Sequence, residues 1–280
     1  MTYSIVARDA ETGDLGVAVQ SQAFNTGAAV PWARPGVGAV ATQSFTDRRY
    51  GWRGLELMAD GMSPDDALAH LRADDELADF RQVGMLSADG RAAQWTGAHC
   101  VPDAGSARGE FWLTQANMVA SPRVWEAMGR AFEESGGCLA ERLMSALEAA
   151  EHEGGDWRGR GGGAIVVVPS EGDPWERIID LRVEEGDESL VELRRLLTRA
   201  LGYREANRAV AGREDIGRRT ALPENHVRRL ALDDAVERGD FGQAREILAE
   251  LEHEEPRWRD VYRTLSLLPD MSNYARLLED

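Results

Sequence analysis

The chain opens on two short runs dominated by apolar residues, Thr2 to Asp9 and Leu15 to Val19, separated by the polar turn Glu11-Thr12-Gly13-Asp14. Runs of strand length on either side of a turn of this chemistry close an antiparallel hairpin, so the start of the chain is committed to a sheet. A third run, 36–44 (Gly-Val-Gly-Ala-Val-Ala-Thr-Gln-Ser), reads as a glycine-rich strand lying close against a neighbour.

The signals that follow alternate in blocks. Tyr50-Gly51 leads into a helical stretch from Gly54 to Ala59, and Ser63-Pro64-Asp65-Asp66 supplies an N-cap with proline at N1 for a helix over Asp65 to Asp74. Strands are predicted over Gln82 to Leu86 and Ala92 to Thr96, around the turn Ser87-Ala88-Asp89-Gly90, and again over Phe111 to Gln115, with Met118-Val119 as the exit. Pro122 to Glu133 and Leu139 to Glu151 have amphipathic helical spacing, and Gly163 to Pro169 and Ile178 to Val183 form a last strand pair. This order gives an α+β fold of layered sheets with helices packed outside.

From about Leu190 the strand signal stops. A helix over Leu190 to Gly202 precedes a charged connector, residues 203–221. Helices then follow over Pro223 to Arg238, Phe241 to Glu252 and Pro256 to Leu268, broken at Gly239-Asp240 and Glu254-Glu255-Pro256. The expected domains are therefore 1–202, mixed α+β, and 203–280, an all-helical extension resembling a single helix-turn-helix repeat. One such unit cannot bury its own apolar face, so it is expected to serve assembly, and a homodimer or larger homo-oligomer is expected.

Charge narrows the function. A formal net charge of −17 disfavours nonspecific nucleic-acid binding, because phosphate rewards a basic surface. No apolar run reaches the ~18 residues of a membrane span and no signal-peptide plan precedes the first strand, so a cytoplasmic protein without membrane contact is expected. Cys100 and Cys138 lack metal or disulfide spacing, and Cys100 beside His99 points away from it on an extended segment. Asp9, Asp14 and Asp47 match no calcium loop. No metal and no cofactor are expected. All 32 basic residues are arginine, which removes any lysine-dependent mechanism.

Thr2, directly behind Met1 at the start of the first strand, stands where an N-terminal nucleophile would sit. Such a residue unites hydroxyl and base, since its freed α-amine (pKa ~8) takes the proton from its own Oγ. Thr2 is equally an ordinary β-branched strand former. Asp156-x-Arg158-Gly159-Arg160, backed by Gly161-Gly162-Gly163, offers two arginines to clamp a carboxylate, or a charged loop in which Asp156 pairs locally. Ser21-Gln22 and Gln43-Ser44 end two strands and are placed to line a pocket there.

Several ordered blocks carry a family resemblance. They are Thr2-x-Ser4-Ile5-Val6-Ala7-Arg8-Asp9, Gly13-Asp14-Leu15-Gly16-Val17-Ala18-Val19, Val30-Pro31-Trp32-Ala33, Gly36 to Gln43, Tyr50-Gly51, Arg81-Gln82-Val83-Gly84, Thr96-Gly97, Cys100, Gln115-x-Asn117 and Gly155-Asp156-x-Arg158-Gly159-Arg160. Over about residues 2–195 the chain resembles the bacterial and archaeal proteins grouped as domain of unknown function 1028. The resemblance implies an Ntn-hydrolase-like fold, a four-layer αββα sandwich. By analogy with Ntn hydrolases it implies Thr2 as nucleophile on an amide carbonyl and Gln43 and Asn117 as oxyanion donors; Ser4, Ser21, Asp156, Arg158 and Arg160 are the candidate substrate contacts. The proteasome-like branch of that superfamily tunes its nucleophile with a lysine, which this chain lacks. Two functions stay open: an amide hydrolase for a small anionic substrate, or a non-catalytic homo-oligomeric scaffold that binds a metabolite or a partner protein.

Overall fold

The computed structural model describes residues 2–212 and 223–279. The hairpin at the start is present: β1 (Thr2–Arg8) and β2 (Leu15–Ser21) pair antiparallel with Thr2 opposite Ser21. Asp9 fixes their turn by accepting from the backbone N–H groups of Glu11 and Thr12, both at 2.9 Å.

The remaining strands are β3 (Pro31–Arg34), β4 (Gly38–Ser44), β5 (Arg81–Ser87), β6 (Ala92–Thr96), β7 (Gly105–Arg108), β8 (Trp112–Asn117), β9 (Gly162–Val168) and β10 (Ile179–Val183). They form two antiparallel sheets, a six-stranded one in the order β10-β9-β2-β1-β8-β7 and a four-stranded one in the order β3-β4-β5-β6. Residues from both sheets meet in one apolar cluster that includes Val6, Val17, Val19, Ala41, Leu86, Leu113 and Val166. Successive residues of a strand point to opposite faces, so the same period places Ser4 and Thr2 on the inter-sheet side with Val6.

Helices cover the outer faces. α1 (Arg49–Ala59) and α2 (Pro64–Ala73) pack on the four-stranded sheet through Tyr50, Leu55, Leu57, Met58, Ala67 and Leu68. α2 starts as its sequence predicts, with Ser63 accepting from Asp66 N–H and Pro64 at the first position. α3 (Val124–Glu134) and α4 (Leu139–His152) pack on the six-stranded sheet. Gly16 lets α4 approach, since a Cβ there would stand 2.6 Å from Leu143 Cδ1.

The chain divides into two compact units, Met1–Leu197 and Thr198–Asp280, and α5 (Ser189–Gly212) contains the division. Residues 203–212, expected as connector, are helical because Ala, Arg and Glu in this stretch are good helix formers; 213–221 lie outside the described residues. The second unit holds α6 (Glu224–Arg238), α7 (Phe241–Glu254), α8 (Trp258–Leu265) and α9 (Asn273–Leu277) around Leu232, Val236, Leu248, Leu251, Tyr262 and Tyr274. Gly239 closes α6 in a left-handed cap (φ 79°), and Asp240 caps α7 by accepting from Gln243 N–H at 3.1 Å, which explains the Gly-Asp break.

Among the described residues, nine α-helices accompany the sheets, none long and apolar enough to cross a membrane, and no cluster of three or more His, Cys, Asp or Glu is placed to hold a metal. β3 and β7, four residues each, are the strands without a sequence counterpart.

Candidate functional site

Register builds the site. In the six-stranded sheet Thr2 lies opposite Ser21 on one side and Asn117 on the other, and Ser21 lies opposite Gly162. These are strand ends, so the row Ser21-Thr2-Asn117 forms one edge of the inter-sheet space. It opens into a cleft of about 540 Å³ that is also lined by the end of β4, at Ser44, and by Phe45, Thr46 and Arg48 after it.

Thr2 is only 9 % exposed, and its Oγ1 donates to Ser21 Oγ at 3.0 Å. Beneath it, Ser4 Oγ donates to Gln43 Oε1 at 2.6 Å, and Gln43 Nε2 donates to the carbonyl of Thr2 at 3.1 Å, to Gln82 Oε1 at 2.7 Å and to Gln115 O at 3.3 Å. Gln82 Nε2 in turn donates to Thr96 Oγ1 and to the carbonyls of Gly105 and Ala116. The floor is thus a sheet-to-sheet network of buried amides. Most of its groups satisfy one another, as polar groups removed from water must, and Gln115 Oε1 is the exception, buried without a donor.

This network corrects the expected role of Gln43. Both its N–H bonds are spent on acceptors in the floor, so it positions Thr2 and does not face the cleft. Asn117 lines the cleft, and its Nδ2 donates to Gln82 Oε1 at 3.0 Å, which uses one of its two hydrogens.

The charged loop splits in two. Arg158 lines the cleft and Asp156 holds it, with guanidinium to carboxylate distances of 3.2 and 3.3 Å. Asp156 also accepts from the backbone N–H groups of Arg158 (2.9 Å) and Gln22 (3.0 Å). Burial pushes its carboxyl up to about 6 against the pull of those two donors. Burial also draws the Arg158 guanidinium down. Arg160 points elsewhere: it bridges Glu151 (2.6 Å) and Glu188 (3.2 Å) in a separate hollow of about 390 Å³ beside α4 and α5. The expected pairing of Arg158 with Arg160 is therefore not formed, because residues two apart on this loop reach different acids.

The structure adds residues that the sequence did not single out. Arg48 stands on the cleft wall and makes no ion pair with a described residue. Asn25 lines the cleft with its Oδ1 buried and unpartnered. Among the described residues four non-glycines have positive φ, and three of them, Asn25 (55°), Ser44 (70°) and Met118 (56°), line this cleft. Such backbone is uncommon outside glycine and collects at functional sites. Cys100 donates to Ser44 Oγ at 3.2 Å, and burial raises its thiol, so it supports the wall as a neutral group. Asp14 accepts from Ser170 N–H and Asp47 pairs with Arg49, which accounts for both carboxylates without a cation.

Comparison with known proteins follows the first unit. Residues 2–193 match the Family of unknown function (DUF1028). A crystal structure of protein SPO2555 from Silicibacter pomeroyi, assigned to the same family, superimposes with a TM-score of 0.66 at 29 % sequence identity, covering 71 % of this chain and 85 % of that one. No curated protein matches the chain.

Proposed function

We propose that this chain, which belongs to the DUF1028 family, is an N-terminal threonine hydrolase that cleaves an amide bond in a small anionic substrate. The observation that carries the reading is the meeting of Thr2, Ser21, Asn117 and Arg158 in one cleft, although they arrive from four separate segments. The finer architecture belongs to the same proposal: two sheets between helix layers, as in the αββα sandwich of Ntn hydrolases.

The chemistry requires Thr2 to carry a free amine, hence removal of Met1. Thr2 Oγ then attacks the amide carbonyl carbon while the α-amine takes its proton. Asn117 Nδ2, with its second hydrogen, stabilises the oxyanion, and Arg158 binds the substrate carboxylate. Collapse breaks the carbon–nitrogen bond, the leaving amine takes the proton from the α-ammonium, and water hydrolyses the ester to restore Thr2. Gln43 acts one step back, holding the Thr2 carbonyl so that the hydroxyl keeps its direction.

The absence of lysine favours a second reading, a non-catalytic scaffold that binds an anionic metabolite in the same cleft, with residues 203–280 serving assembly. Intact mass of untagged protein separates the two. Loss of one methionine, together with amide turnover that Thr2→Ala abolishes, supports the hydrolase. A retained Met1 overturns it.

A further inference from the structure

The cleft has an apolar side that the proposed chemistry leaves unused. Phe24 and Phe45 both line it, and the two residues are 67 % and 58 % exposed. A single exposed apolar ring is ordinary, but two lining one hollow make an apolar patch of the kind that marks a ligand-binding groove. Neither ring sits on loose chain. The segment carrying Phe24 is fixed on both sides, by Gln22 N–H on Asp156, Ala23 N–H on Ser21 Oγ (3.2 Å) and Asn25 N–H on Glu184 O (3.0 Å). The carbonyl of Phe45 accepts from Arg81 at 2.6 Å, and Arg81 is itself anchored on buried Asp75. Behind Phe45 stands Phe80, edge-on with ring centres 5.7 Å apart.

The backbone that carries both rings is therefore fixed at the cleft by polar anchors. In the same cleft stand Arg48 and Arg158. Positive charge and fixed apolar surface in one hollow select a molecule with both features, in a chain whose net charge of −17 otherwise repels anions. We infer that the cleft binds an N-acylated amino acid or a close analogue, with its carboxylate at Arg158 and Arg48 and its acyl chain or aromatic acyl group against Phe24 and Phe45. This inference rests on the proposed amide chemistry for the position of the scissile bond, and on the cleft alone for the two ends.

Calorimetric titration of the full chain carrying Thr2→Ala with N-acetylglycine, N-butanoylglycine, N-hexanoylglycine and N-octanoylglycine tests it without requiring turnover. Affinity is expected to rise about threefold per added methylene over the first several carbons. Phe24→Ala with Phe45→Ala flattens that series, whereas Arg48→Gln weakens every member by a similar factor. The rings are exposed, so the double variant is expected to keep the parent melting temperature. An affinity that ignores chain length, a dependence that survives loss of both rings, or no binding of any member overturns the inference. So does a double variant that only dissociates an oligomer in gel filtration, which would mean that a second copy covers the rings. Turnover of the same amides by the Thr2 protein is read separately. Chain-length-dependent binding without turnover removes the hydrolase reading and keeps this one, and turnover with flat affinity does the reverse.

Discussion

Gln43, on the four-stranded sheet, donates its side-chain amide to the backbone carbonyl of Thr2, on the six-stranded sheet, at 3.1 Å. That bond ties the candidate nucleophile to the opposite sheet at the point where the space between the sheets opens. The same amide serves Gln82 and accepts from Ser4, so sheet spacing and Thr2 placement are set together. Replacing Gln43 with Ala leaves the Ser4 hydroxyl without its acceptor and takes a donor from the carbonyls of Thr2 and Gln115 and from Gln82 Oε1, which keeps Asn117 Nδ2. It is expected to cost about 2–3 kcal/mol in chemical denaturation. A variant as stable as the parent would show that water fills the amide's place.

Gly84 tests the same floor from another side. A Cβ at this position would stand 2.5 Å from Gln115 Oε1, an atom that is buried without a donor, while Gln115 Nε2 donates to Ala41 O at 3.2 Å. Gly84→Ala must therefore displace the Gln115 amide, at an expected cost of about 1–3 kcal/mol. Truncating Gln115 to Ala beforehand removes the clash. The double variant should then be more stable than the sum of the two single losses implies. Strict additivity would place the strain elsewhere.

Asp156 makes stability depend on pH in an unusual direction. Burial holds its carboxyl at about 6 in the folded chain, above the ordinary value of 3.8. Between about pH 4 and 6 the folded state holds a proton that the unfolded state has released. The contribution of this group is full below that window and declines as pH rises through it. Asp156→Asn removes the titration, so its stability relative to the parent should increase between pH 4.5 and pH 7 by denaturant midpoint. A constant difference across that range would put the carboxyl back in the ordinary range.

In the second unit, Asp233 is caught between Tyr274, whose hydroxyl donates at 3.0 Å, and Arg229 at 3.3 Å, and burial raises its carboxyl. Tyr274→Phe deletes a donor to a largely buried acid and leaves the ring packed with Tyr262. The expected loss is about 1–2 kcal/mol, read as a lower melting temperature. It should lessen at acidic pH, where a neutral Asp233 needs the donor less.

The sequence was legible where one physical rule dominated. Apolar runs with turn residues between them locate β1, β2, β5, β6 and β9, and the cap at Ser63 and the break at Gly239-Asp240 mark the starts of α2 and α7. β3 and β7 escaped because four residues containing Pro31 or Gly105 give too short a period to read. Thr2 stands out in the sequence by its place behind Met1, Ser21 by its place at a strand end and Asn117 only through the family resemblance; that register sets the three side by side is visible in the structure alone. Arg48 does not stand out, since nothing local marks one arginine of the pair Arg48-Arg49 as facing a cleft while Arg49 pairs with Asp47. The amide floor did leave a trace, glutamine at positions 82 and 115 inside strands that are buried throughout, where a side-chain amide calls for partners. Arg160 was misassigned because loop spacing says nothing about which acid a long side chain will reach.

Ser21 offers the sharpest separation of chemistry from structure. Its Oγ is the acceptor for Thr2 Oγ1–H at 3.0 Å, and Ala23 N–H donates to it as well. If Thr2 Oγ is the attacking atom, Ser21 sets the direction of its lone pairs without touching substrate. Ser21→Ala should then lower kcat by about one to two orders of magnitude and leave KM within about twofold, because only the reacting geometry is lost. Ser21→Thr keeps the acceptor and should restore much of the rate, whereas Arg158→Gln should raise KM with little change in kcat. An equal loss in Ser21→Ala and Ser21→Thr, tracking their melting temperatures, would mean that the hydroxyl pair only holds strand ends together.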